Sequence, residues 1–583
     1  MRNYIPNYPR PQLLRERWTL LDGAWDFAFD DSNVGEMNGW QRDFPKQYDI
    51  QVPFTYETPA SGIGIEDIHE NAWYSRTFVP EEHTERVLLH FEGSDYHTRV
   101  FLNGHFAGEH KGGYARFSFD ITDLLIPGEN TLTVHVTDTT SRAQPRGKQR
   151  WVGESFGCWY VQTTGIWKSV WLEYAPVSRI TNLKITPQVA DGAVRIEATC
   201  TADANGAILA ADAFFEGIAV GSSAAEVKDG KADILLDVRS TEVDPWGLKK
   251  WSPDHPHLYD LTVVVLQNGR AADTVCSYFG MRDISIHNAR VLLNGYPLYQ
   301  RLLLDQGYWK TTHLTPPSEE AIITDIEKIQ QLGYNGVRKH QKVEDERFLY
   351  WADVKGLLVW SEFPATLVYN DEAIENVTRE WLEVVRQNYS HPSIITWTPF
   401  NESWGVADIE NDPQQQKFTE SIYALTKAID PMRPVVTNDG WRHTCSDILT
   451  LHDYEASGEK FYDRYIEPEN FLDNSEPYST AGQFFAFADG YEYEGQPIII
   501  SEFGGIALSS GEGWGYGDKV EGEEAFLERF ESITRAIQDL PYCSGYCYTQ
   551  VTDVQQEVNG LMDMDRNFKV DPEKIRAINL AKK

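Results

Sequence analysis

Two hydrophobic patterns follow one another along the chain and meet near residue 284. From residue 21 to about residue 174, apolar and polar residues alternate in short runs such as 86–92 and 131–136, broken by Gly, Asn and Asp. This period of two is typical of strands with one buried face. Asn103-Gly104, between two such runs, predicts a two-residue hairpin turn. We therefore expect a β-sandwich of the jelly-roll kind over residues 1–176.

Residues 177–283 continue the alternation, for example at residues 193–198 and 258–266. A length of about 100 residues is that of an immunoglobulin-like β-sandwich. No group with evident chemistry stands out in this segment. We expect it to act as a spacer between the first sandwich and the C-terminal half of the chain.

From residue 284 onward, apolar strand-like segments alternate with helical ones. The clearest helix runs from Ser318 to Gly333, with acids in its first turn and Ile322, Ile326 and Ile329 on one face. Eight apolar segments recur, at 298–304, 336–338, 356–360, 394–397, 434–437, 448–451, 498–501 and 542–548. Eight strand–helix steps over about 300 residues predict a C-terminal (β/α)8 TIM barrel at 284–583.

Two of these segments end in a glutamate. The fourth runs into Asn401-Glu402, and the seventh runs into Glu502 before two glycines. The carboxyl ends of all strands in such a barrel open onto one face, so the two side chains can meet across a pocket. Hydrolysis of a glycosidic bond uses two carboxyl groups, one to protonate the leaving oxygen and one to face the cationic ring carbon. We interpret the glutamates as a catalytic pair; two unrelated surface charges are the alternative.

The overall charge narrows the range of partners. With 52 basic and 88 acidic residues, the formal charge of −36 disfavours nucleic acid and anionic membranes as partners and suits a neutral substrate.

No stretch approaches the roughly 18 apolar residues of a membrane span, and the N-terminus lacks an apolar core of signal-peptide length. We therefore expect a soluble, cytoplasmic protein. The six cysteines lack paired spacings and no His-rich ligand pattern occurs, so we expect no metal and no cofactor.

Short motifs spread over nearly the whole chain form a series. They are Leu21-Asp-Gly-Ala-Trp-Asp-Phe27, Val52-Pro-Phe54, Phe101-Leu-Asn-Gly104, Thr164-Gly-Ile-Trp167, Phe279-Gly-Met-Arg282, Gly333-Tyr-Asn-Gly-Val-Arg338, Asn401-Glu402 and Ser501-Glu-Phe-Gly504. The series resembles glycoside hydrolase family 2, the family of β-galactosidases, β-glucuronidases and β-mannosidases. The resemblance implies that Glu402 is the acid/base, Glu502 the nucleophile and Asn401 a ligand of the sugar's 2-hydroxyl. It also implies a retaining mechanism, with the two carboxyl groups about 5 to 5.5 Å apart.

Other polar and aromatic residues stand at the predicted strand ends and are candidates to line the pocket. They are Asp305, Gln306, Arg338, His340, Glu362, Asn438, Asp439, Trp441, His452, Asp453, Tyr454, Thr549 and Gln550. We expect Arg338 to steady the nucleophile or to form a structural ion pair, and His340 to contact a sugar hydroxyl or to be structural. Tyr454 is expected to donate to Glu502, and Trp441 to stack on a sugar's apolar face. A glycine-rich run at 509–517, with Trp514 and Tyr516, is interpreted as a lid over the pocket or as a surface loop.

The chain departs from the family's pattern at places that bear on the substrate. Galactosidases and glucuronidases of the family carry an Asp six residues before the Gly of the segment matched by Thr164-Gly-Ile-Trp167; here that place holds Trp159, which we count as a substrate-binding candidate. The Asn-x-Lys motif of the glucuronidases is absent from its expected place, where Glu557-Val-Asn559 stands. These departures disfavour an acidic sugar.

The sequence thus predicts an exo-acting retaining β-glycosidase for a terminal neutral sugar, β-galactosidase-like. A β-glucosidase or β-mannosidase is the first alternative, and a catalytically silent carbohydrate-binding protein on the same scaffold is another. We expect a small carbohydrate as substrate, and the resemblance implies a homo-oligomer, a dimer or a tetramer.

Overall fold

The computed structural model describes residues 4–82, 85–479, 484–509 and 511–581. These residues form two β-sandwiches followed by a barrel of parallel strands, which confirms the predicted fold class. The first three residues, used for the expectation about a signal peptide, lie outside the described residues, as does Ser510 of the glycine-rich run.

The first sandwich packs a six-stranded antiparallel sheet against a four-stranded one. In spatial order, the larger sheet contains Tyr48–Val52, Gly23–Phe29, Asn71–Phe78, Asn130–Thr137, His97–Leu102 and His105–Lys111. The smaller contains Trp18–Leu20, Val170–Ala175, Arg86–Phe91 and Phe117–Asp120, with a short pair Ser94–Asp95 and Gly165–Ile166 beside it. Asn103 and Gly104 both have positive φ and join two neighbouring strands, so the predicted hairpin is confirmed.

The second sandwich is built from strands whose alternate residues are buried. One sheet contains Ile180–Gln188, Ala193–Cys200 and Lys231–Asp237, and the other contains Ile218–Glu226, Ile208–Phe215, Tyr259–Gln267 and Arg270–Phe279. A short hairpin of Trp251–Ser252 and His255–Pro256 follows the first sheet. The inward residues of both sheets form one core, to which Ile196, Ile234 and Val263 belong.

Seven parallel strands of the third unit form one curled sheet. The strand that comes first along the chain pairs with the one that comes last, with Leu302 opposite Cys547. The strands are Gln300–Asp305, Gly336–Lys339, Leu358–Glu362, Ile394–Thr398, Leu449–His452, Ile498–Gly504 and Cys543–Thr549. The helices are Glu319–Gln331, Glu346–Lys355, Asp371–Asn388, Pro413–Ile429, Gly458–Tyr465, Glu469–Leu472, Gly522–Asp539 and Pro572–Asn579. The first helix confirms the prediction, with Ser318 accepting from the Ala321 amide as its N-cap.

The predicted fifth strand, residues 434–437, does not join this sheet. Trp397 and this segment exchange backbone hydrogen bonds of 3.0 and 2.9 Å, and a two-residue pair, Phe400–Asn401 with Asn438–Asp439, lies just beyond. On the other side, side chains take the place of a neighbouring strand. The Val435 amide donates to Asp447 and the Thr437 amide donates to Ser446, at 2.8 and 2.9 Å. These side chains, together with a proline that has no N–H, leave no regular ladder.

A three-stranded hairpin sheet, Ile284–His287, Arg290–Leu293 and Tyr296–Pro297, closes the amino-terminal end of the barrel. Its Val291 and Leu293 share a core with the barrel residues Leu302, Trp360 and Ile499. The carboxyl ends of the strands are therefore the open end. In the described part of the chain, no helix combines the length and the apolar character needed to cross a membrane.

Candidate active site

The strand Ile394–Thr398 is buried along its length and delivers Glu402 to the open end of the barrel. Glu402 and Ser403 both have left-handed backbones, with φ of 52° and 59°. Non-glycine residues adopt this conformation rarely, and such residues cluster at functional sites. The Ser403 amide donates to Asn438 Oδ1 at 2.9 Å, which holds the turn.

Glu502 lies within the buried strand Ile498–Gly504 and is 4% exposed. The Arg338 guanidinium donates to one of its carboxylate oxygens and the Tyr454 hydroxyl donates to the other. Burial raises the pKa of this carboxyl, but the charges of His452 and Arg338 outweigh burial, so the pKa of Glu502 is held below its ordinary value. Glu502 is therefore ionised at neutral pH.

A histidine links Glu402 to a second buried acid. His452 Nδ1 lies 2.9 Å from Glu402 Oε1, and His452 Nε2 lies 3.1 Å from Asp439 Oδ2. A neutral His452 that donates from Nε2 to Asp439 presents its Nδ1 lone pair to a protonated Glu402. A cationic His452 donates to an ionised Glu402 instead. These hydrogen bonds therefore accommodate Glu402 with or without a proton.

The two glutamates face each other across a short gap. One carboxylate oxygen of Glu402, one of Glu502 and a ring nitrogen of His452 all lie within 4.8 Å of one another. Retaining glycosidases hold their two carboxyl groups about 5 to 5.5 Å apart, whereas inverting ones leave room for a water molecule at about 6.5 to 9.5 Å. The limit of 4.8 Å between single oxygens of Glu402 and Glu502 is closer to the shorter of these two separations.

Arg338 lies fully buried at the centre of the acidic groups. Its Nε is 3.4 Å from Glu362 Oε2, and its two terminal nitrogens pair with Asp439 and Glu502. Burial raises the pKa of Glu362 to about 7, against the opposing charge of Arg338. The guanidinium thus pairs with three carboxyl groups, of which Glu502 is one.

His340 packs beside this cation. Its Nδ1 lies 3.0 Å from both Glu362 Oε1 and Arg338 Nη2. Burial and the charges of Lys148 and Arg338 hold the pKa of His340 well below its ordinary value. His340 is therefore neutral.

Asn401 and Trp441 also border the pocket. Asn401 is fully buried, yet neither Oδ1 nor Nδ2 of its amide has a hydrogen-bond partner within the described residues. Burying both groups unpaired is costly, so the amide is available to bind a ligand such as a sugar hydroxyl. The Trp441 ring stacks on Phe484 with centroids 3.8 Å apart, and its other neighbour is His452, at 5.6 Å. One face of Trp441 is thus already covered and offers no surface for a sugar.

Three of the predicted pocket residues are engaged in contacts within the protein. Asp305 pairs with Lys339 at 2.7 Å and accepts from the Gly307 amide. Asp453 pairs with Arg464 and accepts from Tyr465. Gln306 donates to Gln550 Oε1 at 2.7 Å and to the Tyr160 hydroxyl at 3.0 Å. We expected these side chains to contact substrate because of their positions at strand ends, and this stays a prediction; the two aspartates also form ion pairs that hold the loops.

The first sandwich supplies one side of the pocket. The Trp159 ring lies 5.1 Å from that of Trp404, two residues after Glu402. The Tyr160 hydroxyl donates to Glu557, which also accepts from Asn559 at 3.0 Å. The sequence pointed to Trp159 only through the family resemblance, and it carried no signal for Tyr160 or Trp404 as pocket residues.

The described part of the glycine-rich run lies against the same region. Tyr516 stacks on Tyr454, and Trp514 Nε1 donates to the Gly157 carbonyl of the first sandwich at 2.9 Å. Of the two interpretations of this run, these contacts favour a cover over the pocket.

Glu402, His452 and Glu502 also form a set of ligand atoms close enough together to hold a metal ion. Within the site these atoms are already engaged. Glu402 and His452 bond to each other, and the Glu502 oxygens accept from Arg338 and Tyr454. The donor set is that of a proton-transfer site, with a buried cation already in place.

Sequence models of glycosyl hydrolases family 2 match the chain in three consecutive parts: the sugar binding domain at residues 18–176, the central domain at 178–282 and the TIM barrel domain at 284–576. A putative beta-glucuronidase of Formosa agariphila is 30% identical over 66% of this chain and 46% of its own length. A beta-galactosidase of Thermoanaerobacter pseudethanolicus is 29% identical over 74% of this chain and 56% of its own length. The chain thus spans about half the length of these curated relatives.

Among solved structures, the beta-glucuronidase of Ruminococcus gnavus superposes with a TM-score of 0.79 at 18% identity, covering 97% of this chain and 99% of that one. At this identity the likeness shows the fold. The matched sequence models extend from residue 18 to residue 576. The chain belongs to glycosyl hydrolases family 2.

Proposed function

We propose that the protein is an exo-acting retaining β-glycosidase that removes a terminal neutral sugar, with β-galactosides as the first substrates to test. The observation that carries the proposal is the approach of Glu402 and Glu502 to within 4.8 Å, one joined to a histidine and the other to an arginine and a tyrosine. A silent binding protein has no need for this set of proton and charge contacts.

In the proposed reaction, Glu502 attacks the anomeric carbon while Glu402 donates its proton to the glycosidic oxygen. The bond to the aglycone breaks, and the sugar is left as an ester on Glu502. Glu402, now ionised, takes a proton from water as the water oxygen attacks the same carbon. Glu502 leaves, and the sugar is released with its configuration retained. In this proposal Asn401 binds the 2-hydroxyl, and the unpaired amide of Asn401 within the described residues supports it.

The charges around the pocket support a neutral sugar. Glu402, Glu502 and Glu557 all act on the charge of one lysine, Lys148. Arg338 is already paired with three carboxyl groups. A uronic acid would add another anion to a region that holds more carboxyl groups than cations. Enclosure of the pocket by the first sandwich supports attack on terminal sugars.

A β-glucuronide is the second candidate, because several relatives bear that name, including the one from Formosa agariphila and the enzyme of Rattus norvegicus. In its favour, Lys148 is a buried cation near both glutamates. A β-glucosidase or β-mannosidase has the same catalytic machinery and differs in hydroxyl contacts alone.

The test is a comparison of kcat/KM on nitrophenyl β-galactoside, β-glucoside, β-mannoside, β-glucuronide and α-arabinoside, with Glu502→Gln as the blank. We expect the neutral β-galactoside to be preferred and all turnover to disappear in the blank. NMR of the first-formed product should show the β-anomer. An α-anomer would overturn the retaining mechanism, and a preference for the β-glucuronide would overturn the neutral sugar. The predicted homo-oligomer is tested separately by the mass in solution.

A further inference from the structure

One segment of the first sandwich, residues 146–160, lies across the mouth of the barrel. The amides of Arg146 and Gly147 donate to the Ala365 carbonyl, at 2.9 and 3.0 Å, in the loop after the third barrel strand. Gly147 has φ of 58°, and a Cβ there would lie 2.7 Å from the carbonyl oxygen of Gln341, after the second strand. A glycine is required for this close approach. The next residue, Lys148, is therefore held at the pocket.

The other end of this segment holds Lys148 from the opposite side. The Tyr160 amide donates to the Lys148 carbonyl at 2.8 Å, while the Tyr160 hydroxyl donates to Glu557 at the far side of the barrel. Lys148 is thus placed between loops that follow the second and third strands and a loop that follows the last strand. This position lies over the pocket that contains Glu402 and Glu502.

Lys148 is a buried cation with little to bind. The side chain is 8% exposed, and within the described residues its ammonium makes one hydrogen bond, to Cys158 Sγ at 3.3 Å. Burial raises the pKa of the Cys158 thiol, so this sulfur is uncharged at neutral pH. An ammonium has three N–H donors, and a thiol is a weak acceptor. Among the residues that the structure describes, Lys148 is therefore left with donors that no protein group satisfies.

Carboxylates nearby keep this lysine charged without contacting it directly. Glu402, Glu557 and Glu502 all act on its charge, but within the described residues none forms an ion pair with it. The Lys148 ammonium therefore interacts electrostatically with the two carboxyl groups that we propose as catalytic, and its backbone is fixed at the same end of the barrel.

We propose that Lys148 is a specificity-determining residue, which donates hydrogen bonds to a hydroxyl oxygen of the terminal sugar. The inference rests on the proposed function, since it assigns the lysine to the same pocket. The chemical class it selects is a neutral sugar with a hydroxyl at the position that the ammonium reaches. Three carboxyl groups already act on the charge of Lys148, so a hydroxyl, which adds no further anion, is the better partner.

The test combines Lys148→Met with sugars that lack one hydroxyl. On the preferred nitrophenyl glycoside, Lys148→Met should lower kcat/KM by roughly 10- to 100-fold, the effect of losing a charged hydrogen bond. The 3-, 4- and 6-deoxy glycosides are then measured with both enzymes. At one position the loss caused by removing the hydroxyl should be at least about tenfold smaller in Lys148→Met than in the wild type. If the loss caused by removing a hydroxyl is the same in Lys148→Met as in the wild type at all three positions, the proposal is overturned.

Lys168→Met is the matched control. Lys168 is another buried lysine of the first sandwich and donates to the backbone carbonyls of Val343 and Glu344 at 3.0 and 3.1 Å. Its removal should lower the melting temperature and leave kcat/KM within about threefold. A similar loss of kcat/KM in both variants would assign the effect to packing between the domains and overturn the proposal.

A leaving-group series separates direct binding from an indirect effect on Glu402. Lys148→Met should lose the same factor on dinitrophenyl and methyl glycosides if the lysine binds the sugar. A loss confined to the methyl glycoside would mean that Lys148 acts through Glu402, which would overturn the proposal. Failure of the proposed function appears elsewhere, in the wild-type enzyme, as turnover confined to the β-glucuronide or as an inverted product.

Discussion

Tyr454 and Tyr516 stack face to face, with ring centroids 3.4 Å apart and planes inclined by 4°. Tyr454 follows the barrel strand Leu449–His452, whereas Tyr516 belongs to the glycine-rich loop after the strand Ile498–Gly504. The stack restricts the Tyr454 ring while its hydroxyl donates to Glu502. A loop remote in sequence thus helps to orient the carboxylate that we propose as nucleophile.

Replacing Tyr454 by Phe removes this hydrogen bond and keeps the ring. We expect kcat on a nitrophenyl glycoside to fall by roughly 10- to 100-fold, because a hydrogen bond to a charged group contributes about 1.5 to 3 kcal/mol. Steady-state kinetics on correctly folded enzyme measure this fall in kcat. An unchanged kcat would show that the Tyr454 hydroxyl does not assist Glu502.

Variants of Tyr516 test the stack separately from the hydrogen bond. Tyr516→Phe preserves the ring and should keep kcat within about twofold. Tyr516→Leu removes the aromatic pair, which is worth about 0.5 to 1.5 kcal/mol, and should lower kcat by roughly two- to tenfold. Equal activity in the two variants would mean that the stack does not position Tyr454.

Loss of the Glu402 carboxyl should show itself in the dependence on the leaving group. Glu402→Ala is expected to lose roughly 10²- to 10⁴-fold in kcat/KM on a methyl glycoside, which needs protonation of its leaving oxygen, and much less on a dinitrophenyl glycoside. Added azide should restore turnover on the dinitrophenyl glycoside, because azide attacks the ester on Glu502 without base assistance. The product is then a β-glycosyl azide, detectable by NMR.

The same measurements on Glu502→Ala provide the contrast. Azide attacking that variant directly would give the α-glycosyl azide, since no ester forms first. A β-azide from Glu502→Ala, or a lack of any azide effect on Glu402→Ala, would contradict the assigned roles.

The parts of the site that lie at strand ends were predictable from the sequence. Glu402 and Glu502 each follow a buried apolar strand, and parallel strands of a closed barrel bring their carboxyl ends together whatever their separation in sequence. The same rule predicted Arg338 and Tyr454 near Glu502. The rule did not predict that Asp305 pairs with Lys339 or that Asp453 pairs with Arg464. The position of a carboxylate at a strand end does not indicate which cation lies beside it.

Contacts between domains could not be predicted in this way. Lys148, Tyr160 and Gly147 lie in an irregular segment of the first sandwich, and no periodic pattern reports that such a segment docks on another domain. The prediction of a fifth barrel strand was wrong for a local reason. Asp447 and Ser446 accept hydrogen bonds from the amides that a neighbouring strand would otherwise bind. Side-chain hydrogen bonds of this kind leave the apolar pattern of residues 434–437 unchanged.

Trp159 should influence substrate binding more than chemistry. Its ring lies edge to face with Trp404 and near Trp151, at centroid distances of 5.1 and 5.2 Å, on the side of the pocket next to Glu402. Trp159→Ala is expected to raise KM by about fivefold, because one aromatic contact is worth about 1 kcal/mol and the freed space admits water. Trp159→Phe should recover most of the loss. A change in kcat with KM unaltered would contradict this role.

Glu380 joins the first sandwich to the barrel through a buried carboxyl. It lies on the helix Asp371–Asn388, and its Oε1 accepts from the amides of Tyr114 and Ala115 at 2.6 and 3.2 Å. Its Oε2 has no hydrogen-bond partner within the described residues. Burial raises the pKa of Glu380 from 4.5 to about 7, against the two amide hydrogen bonds and the charge of His110.

Glu380→Gln should therefore change how stability depends on pH. A carboxyl whose pKa is raised on folding favours the folded state fully below its unfolded pKa of 4.5, and this contribution disappears as pH rises through about 7. Glutamine keeps an oxygen for the two amides and cannot ionise. Relative to the wild type, the free energy of unfolding of Glu380→Gln should rise by roughly 3 kcal/mol between pH 4.5 and pH 8, an upper estimate from the size of the pKa shift. Denaturant unfolding at several pH values measures this difference.

Glu375→Gln, on the exposed face of the same helix, is the control and should shift the free energy of unfolding by less than about 0.5 kcal/mol. Parallel curves for Glu380→Gln and the wild type would show that folding does not raise the pKa of the Glu380 carboxyl.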